Sequence, residues 1–238
     1  MPLSGAFATV PGALRSITEE VRLRHSKAIF ALSLAALAAA GAFAPAHAQV
    51  TGQYTGAQLL GAGGHLFGGY LDVSSNVVGL MAQLRLSFYP GVEFGFQGGP
   101  ARNDDTGSSR GTVRLGTDVR FATLESAKGA PFDLALGGEL GTENGDNYSV
   151  IALGPTGVIS KVARKNASGG IVPYVGIAIL YSNIDVGSSS DTDVSIPLRL
   201  GTEFSATPGA RLTAEVQIRM SDSFRDNTSF NVGVNMPF

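Results

Sequence analysis

The chain has 238 residues, a formal net charge of −2 at pH 7 and no cysteine. Without cysteine it can form neither a disulfide nor a metal site with thiolate ligands. The slightly acidic balance also argues against nucleic acid as a partner, because proteins that bind nucleic acids present clustered Lys and Arg.

The first predicted element is a secretory signal peptide. A basic stretch from Arg22 to Lys27 precedes an apolar run over residues 28–44, and small residues lead up to Ala48. This order is typical of a segment that signal peptidase removes. We therefore predict cleavage after Ala48, which leaves Gln49 as the amino terminus of the exported protein.

The cleavage site divides the chain into two parts. Residues 1–48 are an N-terminal extension and signal peptide, and residues 49–238 are one domain. The second part contains no run of about 20 apolar residues, so no membrane-spanning helix is expected there.

The domain is predicted to be all-β, because proline, glycine and charged clusters divide it into segments of about ten residues whose apolar positions alternate. An eight-stranded arrangement remains an alternative, since the first, sixth and seventh segments alternate poorly. The ten predicted strands cover residues 58–70, 77–88, 92–100, 112–122, 132–142, 148–161, 171–183, 194–205, 211–220 and 228–238.

The connections between the predicted strands alternate in length. Short turns such as residues 89–91 contain proline and glycine, whereas the stretches 102–110, 142–147 and 185–193 are longer and rich in Asp and Ser. Outer-membrane barrels have short periplasmic turns and longer outer loops. The acidic residues expected in those outer loops include Asp72, Glu143, Asp185, Asp191 and Asp193.

Aromatic residues fall near the predicted strand ends, as the two interfaces of a bilayer would require. The expected periplasmic girdle contains Phe88, Phe121, Phe132, Phe204 and Phe238. The expected outer girdle contains Tyr70, Tyr148, Tyr181 and Phe230.

Alternation alone fits both a soluble barrel of the lipocalin type and a membrane barrel with its apolar face outward. The polar face favours the membrane barrel, because it carries Arg, Gly, Ser and Gln, whereas strands facing water usually carry Lys and Glu. If the polar face is the lumen, its ionisable side chains must be paired to be tolerated. This predicts a structural charge network of Arg85, Glu93, Arg114, Asp118, Arg120, Asp133, Glu139, Arg199, Glu203, Glu215 and Arg219.

The last predicted strand alternates strictly and ends on an aromatic residue. Its apolar face carries Phe230, Val232, Val234, Met236 and Phe238. The strand resembles the closing strand of bacterial outer-membrane β-barrels, among them the small porin-like and OmpA-like barrels. In that family, a terminal Phe after alternating apolar positions is the signal that the barrel-assembly machinery reads.

The resemblance implies a closed, antiparallel, up-and-down transmembrane β-barrel in the bacterial outer membrane. Its expected partners are outer-membrane lipid and lipopolysaccharide, and the assembly machinery during biogenesis. A monomer with a structural role or a minor pore for small solutes is expected. The alternative function is that of a surface adhesin or receptor acting through acidic extracellular loops.

Few residues indicate catalysis. After cleavage the only histidine is His65, in the first predicted strand, with glycine neighbours. Ten-stranded outer-membrane proteases use His and Asp near the outer mouth, so a protease or a lipid enzyme is the less favoured reading. We predict no catalytic residue, no metal site and no cofactor.

Overall fold

A computed structural model describes residues 52–75, 77–105, 108–163, 170–207, 209–221 and 227–238 of the chain. The predicted signal peptide and its cleavage site lie outside these residues. The strands are β1 (His65–Ser74), β2 (Val77–Tyr89), β3 (Val92–Asp105), β4 (Ser108–Leu124), β5 (Asp133–Gly145), β6 (Tyr148–Ser160), β7 (Ile171–Ala178), β8 (Leu180–Val186), β9 (Ser189–Thr207), β10 (Ala210–Ser221) and β11 (Asn227–Pro237). A short 3-10 turn (Ser126–Lys128) separates β4 from β5. Within the described part of the chain, no helix has the length and apolar character needed to cross a membrane.

The strands form one closed antiparallel sheet. Each strand except β7 pairs with the next in sequence, and β1 closes the ring by pairing with β11. β7 and β8 are two halves of one barrel strand, because both pair with β6 on one side and with β9 on the other. The barrel therefore has ten strands, which confirms the predicted fold class and rules out the eight-stranded alternative.

The barrel has two distinct ends. The end that contains Phe238 and the turn between Tyr89 and Val92 is called the turn end. The opposite end, where β3 meets β4 and β8 meets β9, is called the hairpin end.

The interruption between β7 and β8 lies at Ile179, whose N–H donates to the carbonyl oxygen of Pro155 at 3.1 Å. The neighbouring Gly154 lets the two backbones approach closely, since a Cβ at this position would overlap the carbonyl oxygen of Ile179. Glycine at this position therefore reflects close backbone packing across the seam.

We expect Gly154→Ala to destabilise the barrel by about 1–3 kcal/mol, because the added methyl group must displace the backbone at Ile179. Gly69→Ala is the matched control, since a Cβ at Gly69 meets nothing within 4 Å. Urea unfolding of the refolded protein measures both. Equal midpoints for the two variants would show that the seam tolerates the methyl group.

The first strand differs from its prediction. It was predicted over 58–70, but β1 begins at His65, after a turn in which the N–H of Gly64 donates to the carbonyl oxygen of Gly61 at 2.8 Å. Gly63 has a φ of 75°, which glycine adopts without steric cost. The turn reverses the chain, so the residues before it cannot belong to the barrel wall.

The predicted outer loops are mostly strand. Pairing between β3 and β4 continues to Asp105 and Ser108, and pairing between β8 and β9 continues to Val186 and Ser189. The length of these stretches and their Asp and Ser content predict loops. Water can solvate both faces of a strand at the hairpin end, so pairing there requires no apolar face.

Candidate functional site in the barrel lumen

The outer surface of the barrel is apolar. Alternate positions of each strand expose large hydrophobic side chains, including Leu80 at 62%, Leu115 at 53% and Leu212 at 50% of their accessible surface. Such a continuous apolar band would be unstable in water, and it matches what a lipid bilayer solvates.

The inner surface has the opposite character. The largest fully buried side chains of the described residues include Arg85, Arg114, Arg120 and Arg199. A soluble barrel places its apolar face inward, whereas this one places arginines there and exposes large apolar side chains on the outside. The barrel therefore has the polarity of a membrane-spanning β-barrel, apolar outside and charged inside.

No family model matches this chain, and no curated protein does. Among solved structures, it is similar to the N-terminal β-barrel domain of Pseudomonas aeruginosa OprF, with 10% identity, 75% of this chain and 100% of that chain covered, and a TM-score of 0.34. An outer-membrane channel from Pseudomonas putida F1 is 12% identical over 79% of this chain and 99% of that chain, with a TM-score of 0.42. The attachment invasion locus protein Ail of Yersinia pestis is 13% identical over 74% of this chain and 99% of that chain, with a TM-score of 0.29. These likenesses are distant, and the polarity of this barrel follows from its own geometry.

One group of ion pairs lies in the lumen near the turn end. Arg85 donates to both carboxylate oxygens of Asp118, at 2.5 and 3.1 Å, and through Nε to Glu93. Arg120 also donates to Glu93, and its Nε lies 3.9 Å from Asp118. Two arginines and two carboxylates therefore form one connected and buried unit.

Two further ion pairs span the lumen between strands that are not neighbours. Arg199 on β9 holds Glu139 on β5 through two hydrogen bonds of 2.7 and 2.8 Å. Arg114 on β4 contacts Asp72 on β1 at 2.5 Å. These pairs brace opposite parts of the wall, and bidentate geometry adds directional specificity to the first.

The structure places all eleven residues of the predicted network among the buried polar side chains. Asp133 has a local role, since it accepts hydrogen bonds from the backbone N–H and the hydroxyl of Ser126 at 2.7 and 2.9 Å. Glu203 lies 3.5 Å from Arg211 at the turn end.

Three luminal acids were wrongly assigned to outer loops. Asp72 and Glu143 both contact Arg114, and Asp193 contacts Arg219 at 3.2 Å. Their strands extend further than predicted, which turns these side chains inward. Finding these acids from the sequence would have required two steps. The inward positions of Arg114 and Arg219 had to be combined with the pairing register of the neighbouring strands.

A second feature of the lumen was not predicted at all. Residues 52–60, here called the luminal segment, lie inside the barrel, and Gln53, Tyr54, Thr55 and Ala57 are at most 5% exposed. The first predicted strand begins at residue 58, and residues 52–57 belong to no predicted element. Because the barrel wall encloses them, their backbone polar groups need partners from the lumen side chains.

Glutamates of the wall accept hydrogen bonds from four backbone N–H groups of the luminal segment. Glu215 accepts from Gln53 at 3.2 Å and from Tyr54 at 2.9 Å, and Glu203 accepts from Gly56 at 2.6 Å. Further along, Glu93 accepts from Leu60 at 2.8 Å. Carboxylates thus hold the segment by charge-assisted hydrogen bonds along its length.

The remaining contacts of the segment use amides, hydroxyls and one guanidinium, since Arg120 donates to the carbonyl oxygen of Gly56 at 3.1 Å. Gln97 both accepts from the N–H and donates to the carbonyl oxygen of Gly52, at 3.2 and 2.9 Å. Ser160 accepts from Ala57 at 2.9 Å. Asn235 donates to the carbonyl oxygen of Tyr54 at 3.0 Å.

Tyrosine rings pack the segment against the wall. Tyr54, which has a φ of 58°, stacks on Tyr70 with ring centroids 4.0 Å apart. The ring of Tyr70 occupies space that a side chain at Gly233 would fill. Luminal glycines therefore make room for large inward side chains, which explains part of the glycine content.

The aromatic girdles are partly as expected. Phe88, Phe121 and Phe204 are 59%, 50% and 41% exposed near the turn end, and Tyr181 is 53% exposed on β8. The prediction for Tyr70 was wrong, because this residue points into the lumen. Tyr148 was also misplaced, since it packs against the inward apolar cluster of Val150, Ala152, Ala178, Leu180 and Ile184.

The terminal strand closes the barrel. Val232, Met236 and Phe238 expose 43%, 42% and 73% of their surface on the outer face, on the same strand face as Phe230 and Val234. The ring of Phe238 stacks on His65, with centroids 5.4 Å apart, and its N–H donates to the carbonyl oxygen of His65 at 3.2 Å. His65 is thus part of the closure at the turn end.

Proposed function

We propose that this chain is a structural outer-membrane barrel that also serves as a minor, normally closed conduit for small solutes. The observation that supports this most is the filling of the lumen by ion-paired polar side chains and by an uncharged segment of the chain itself. Ten strands enclose a lumen only slightly wider than the eight-stranded barrels that side chains fill. A wide diffusion pore is therefore not part of the proposal.

The polar side chains that line the lumen favour a conduit over a barrel with a purely structural role. Buried ion pairs contribute little net stability compared with apolar packing, because charges lose much solvation on burial. A barrel with a purely structural role could fill its lumen with apolar side chains. A polar lining, in contrast, can be hydrated whenever the packing loosens.

Bilayer recordings on purified protein test this function. We expect brief openings of small conductance separated by long closures. The complete absence of openings, in protein that migrates as a folded heat-modifiable barrel, would contradict the conduit. Large and permanent conductance would contradict the packed lumen.

The proposed location is the bacterial outer membrane, with the turn end toward the periplasm, after removal of residues 1–48. The proposed partners are lipopolysaccharide outside and the barrel-assembly machinery during biogenesis, and the proposed state is a monomer. The terminal strand supports this, because its alternating face ends on Phe238. No cofactor and no catalytic residue form part of the proposal.

A second candidate function is recognition at the cell surface. It is favoured by the hairpin between β8 and β9, where residues 185–192 are all exposed and include Asp185 and Asp191. Shortening this hairpin should abolish binding to labelled cells or matrix if the barrel is an adhesin. Conductance should then remain unchanged.

A further inference from the structure

The luminal segment is attached to the wall in a different way from the strands. Neighbouring strands share continuous backbone ladders, as between β5 and β6 from Asp133 to Gly145. The hydrogen bonds of residues 52–60 go to side chains of the wall, such as Glu203, Ser160 and Asn235. A segment held by side chains can leave without breaking any pairing in the barrel.

The luminal segment also brings no charge into the lumen. Its sequence, GQYTGAQLL, contains no acidic, basic or histidine side chain. It therefore satisfies the wall glutamates only through N–H groups. Whatever takes the place of the segment must also donate hydrogen bonds to these carboxylates or carry a positive charge.

Glu215 depends most on the segment. It is 1% exposed, and the salt bridges of Arg199 and Arg211 are made with Glu139 and Glu203. Its partners are the N–H groups of Gln53 and Tyr54 and the hydroxyl of Tyr174, which donates at 2.8 Å. If the segment leaves, two of the three donors leave with it.

A glycine-rich turn connects the luminal segment to β1 at the turn end. It is anchored by Gly63, whose N–H donates to the carbonyl oxygen of Ser87 at 2.6 Å, and a Cβ at Gly61 or Gly63 would meet no atom within 4 Å. The backbone at this turn can change conformation with little steric hindrance. The segment can thus swing out of the lumen through the turn end while β1 stays in place.

We propose that residues 52–60 are a displaceable plug, and that their withdrawal opens a lumen that favours cations because Glu215 loses two of its three donors. The inference rests on the proposed conduit function and adds its gate and the charge of its preferred solute. Water and small cations such as K⁺ then take the place of the backbone donors. The arginines paired with Asp118 and Glu139 keep these partners, and Glu203 keeps Arg211, so the uncompensated negative charge is the carboxylate of Glu215.

A disulfide can test the plug directly, because the chain contains no other cysteine. A Cβ at Gly56 would lie 3.2 Å from the Cβ of Ser160, close to the spacing of about 3.5–4.5 Å in disulfides. The double variant Gly56→Cys and Ser160→Cys should therefore lock the segment when oxidised. Wild type and the Ser160→Cys single variant, under both redox conditions, are the controls.

We expect the oxidised double variant to be silent in bilayers and the same protein, once reduced, to recover at least the open probability of the Ser160→Cys control. Equal activity in both redox states, with the disulfide verified by mass, would overturn the plug and leave the conduit function standing. Silence of the wild type and of every reduced variant would instead contradict the conduit function itself.

The preference for cations is tested by reversal potentials in a KCl gradient. Glu215→Gln keeps an acceptor for the segment but removes the charge, and we expect it to reduce the permeability ratio of K⁺ to Cl⁻ by up to about tenfold. Glu125→Gln is the matched control, since Glu125 pairs with the exposed Lys128 outside the lumen. An unchanged ratio in a Glu203→Gln and Glu215→Gln double variant that still migrates as a folded barrel would overturn the cation preference.

Discussion

Arg85→Met is expected to lower the free energy of unfolding by about 3–5 kcal/mol, because it leaves the buried carboxylate of Asp118 without its bidentate partner and Glu93 with one arginine instead of two. Arg85 is 1% exposed and donates to both Glu93 and Asp118. Arg120 still contacts Glu93, but its Nε is 3.9 Å from Asp118 and cannot replace the lost bidentate pair. Urea unfolding of protein refolded into lipid vesicles measures the loss.

Two further variants separate the cost of an unpaired charge from that of lost packing. Lys128→Met removes an exposed ion pair with Glu125, and the expected change is below about 1 kcal/mol. Adding Asp118→Asn to Arg85→Met removes the stranded charge and should recover part of the stability. If Arg85→Met behaves like Lys128→Met, the luminal pairs contribute no more than surface pairs do, and the lumen must be well hydrated.

The sequence was sufficient to predict the barrel wall because alternation is local. The apolar face of β2, with Val78 and Leu80, can be read from consecutive residues, and it fixes which face meets lipid. The prediction that Arg85 and Arg114 lie inside follows from the same alternation. Their partners could not be read in this way, since Arg114 contacts Asp72 across two intervening strands.

The ends of strands were harder to predict where a strand passes from lipid into water. Glu143 and Asp193 lie in polar stretches that look like loops, and the structure pairs both stretches with neighbouring strands. Alternation between apolar and polar positions marks only the part of a strand that crosses lipid. In the part of a strand that extends beyond the lipid, both faces are polar. Only the pairing register then shows which residues point inward.

The luminal segment left no periodic signal in the sequence. Residues 52–60 are uncharged and rich in small residues, as a loop or a weak strand would be. What places them in the lumen is the set of acceptors on distant strands, above all Glu203 and Glu215. This information is spread over more than 140 residues of chain, as between Gly56 and Glu203 at a sequence separation of 147.

Val216→Arg is expected to cost about 2–4 kcal/mol, because it places a charge on the lipid face near the middle of the bilayer. Val216 lies in the centre of β10, between Leu200 on β9 and Phe230 on β11, and its side chain points outward. Titration with urea in vesicles of defined thickness measures the cost. Met220→Arg is the matched control on the same face of the same strand.

Val216→Arg and Met220→Arg differ only in their depth in the bilayer, since both introduce the same charge into the same strand. Met220 is 44% exposed and lies one residue from the end of β10, where the arginine can reach lipid headgroups, and the expected cost is about 0–1 kcal/mol. A cost that is equal at both positions would mean that this face does not cross a hydrocarbon core. In that case the outward leucines of the barrel would need another apolar partner, and the polar lumen would lose its physical explanation.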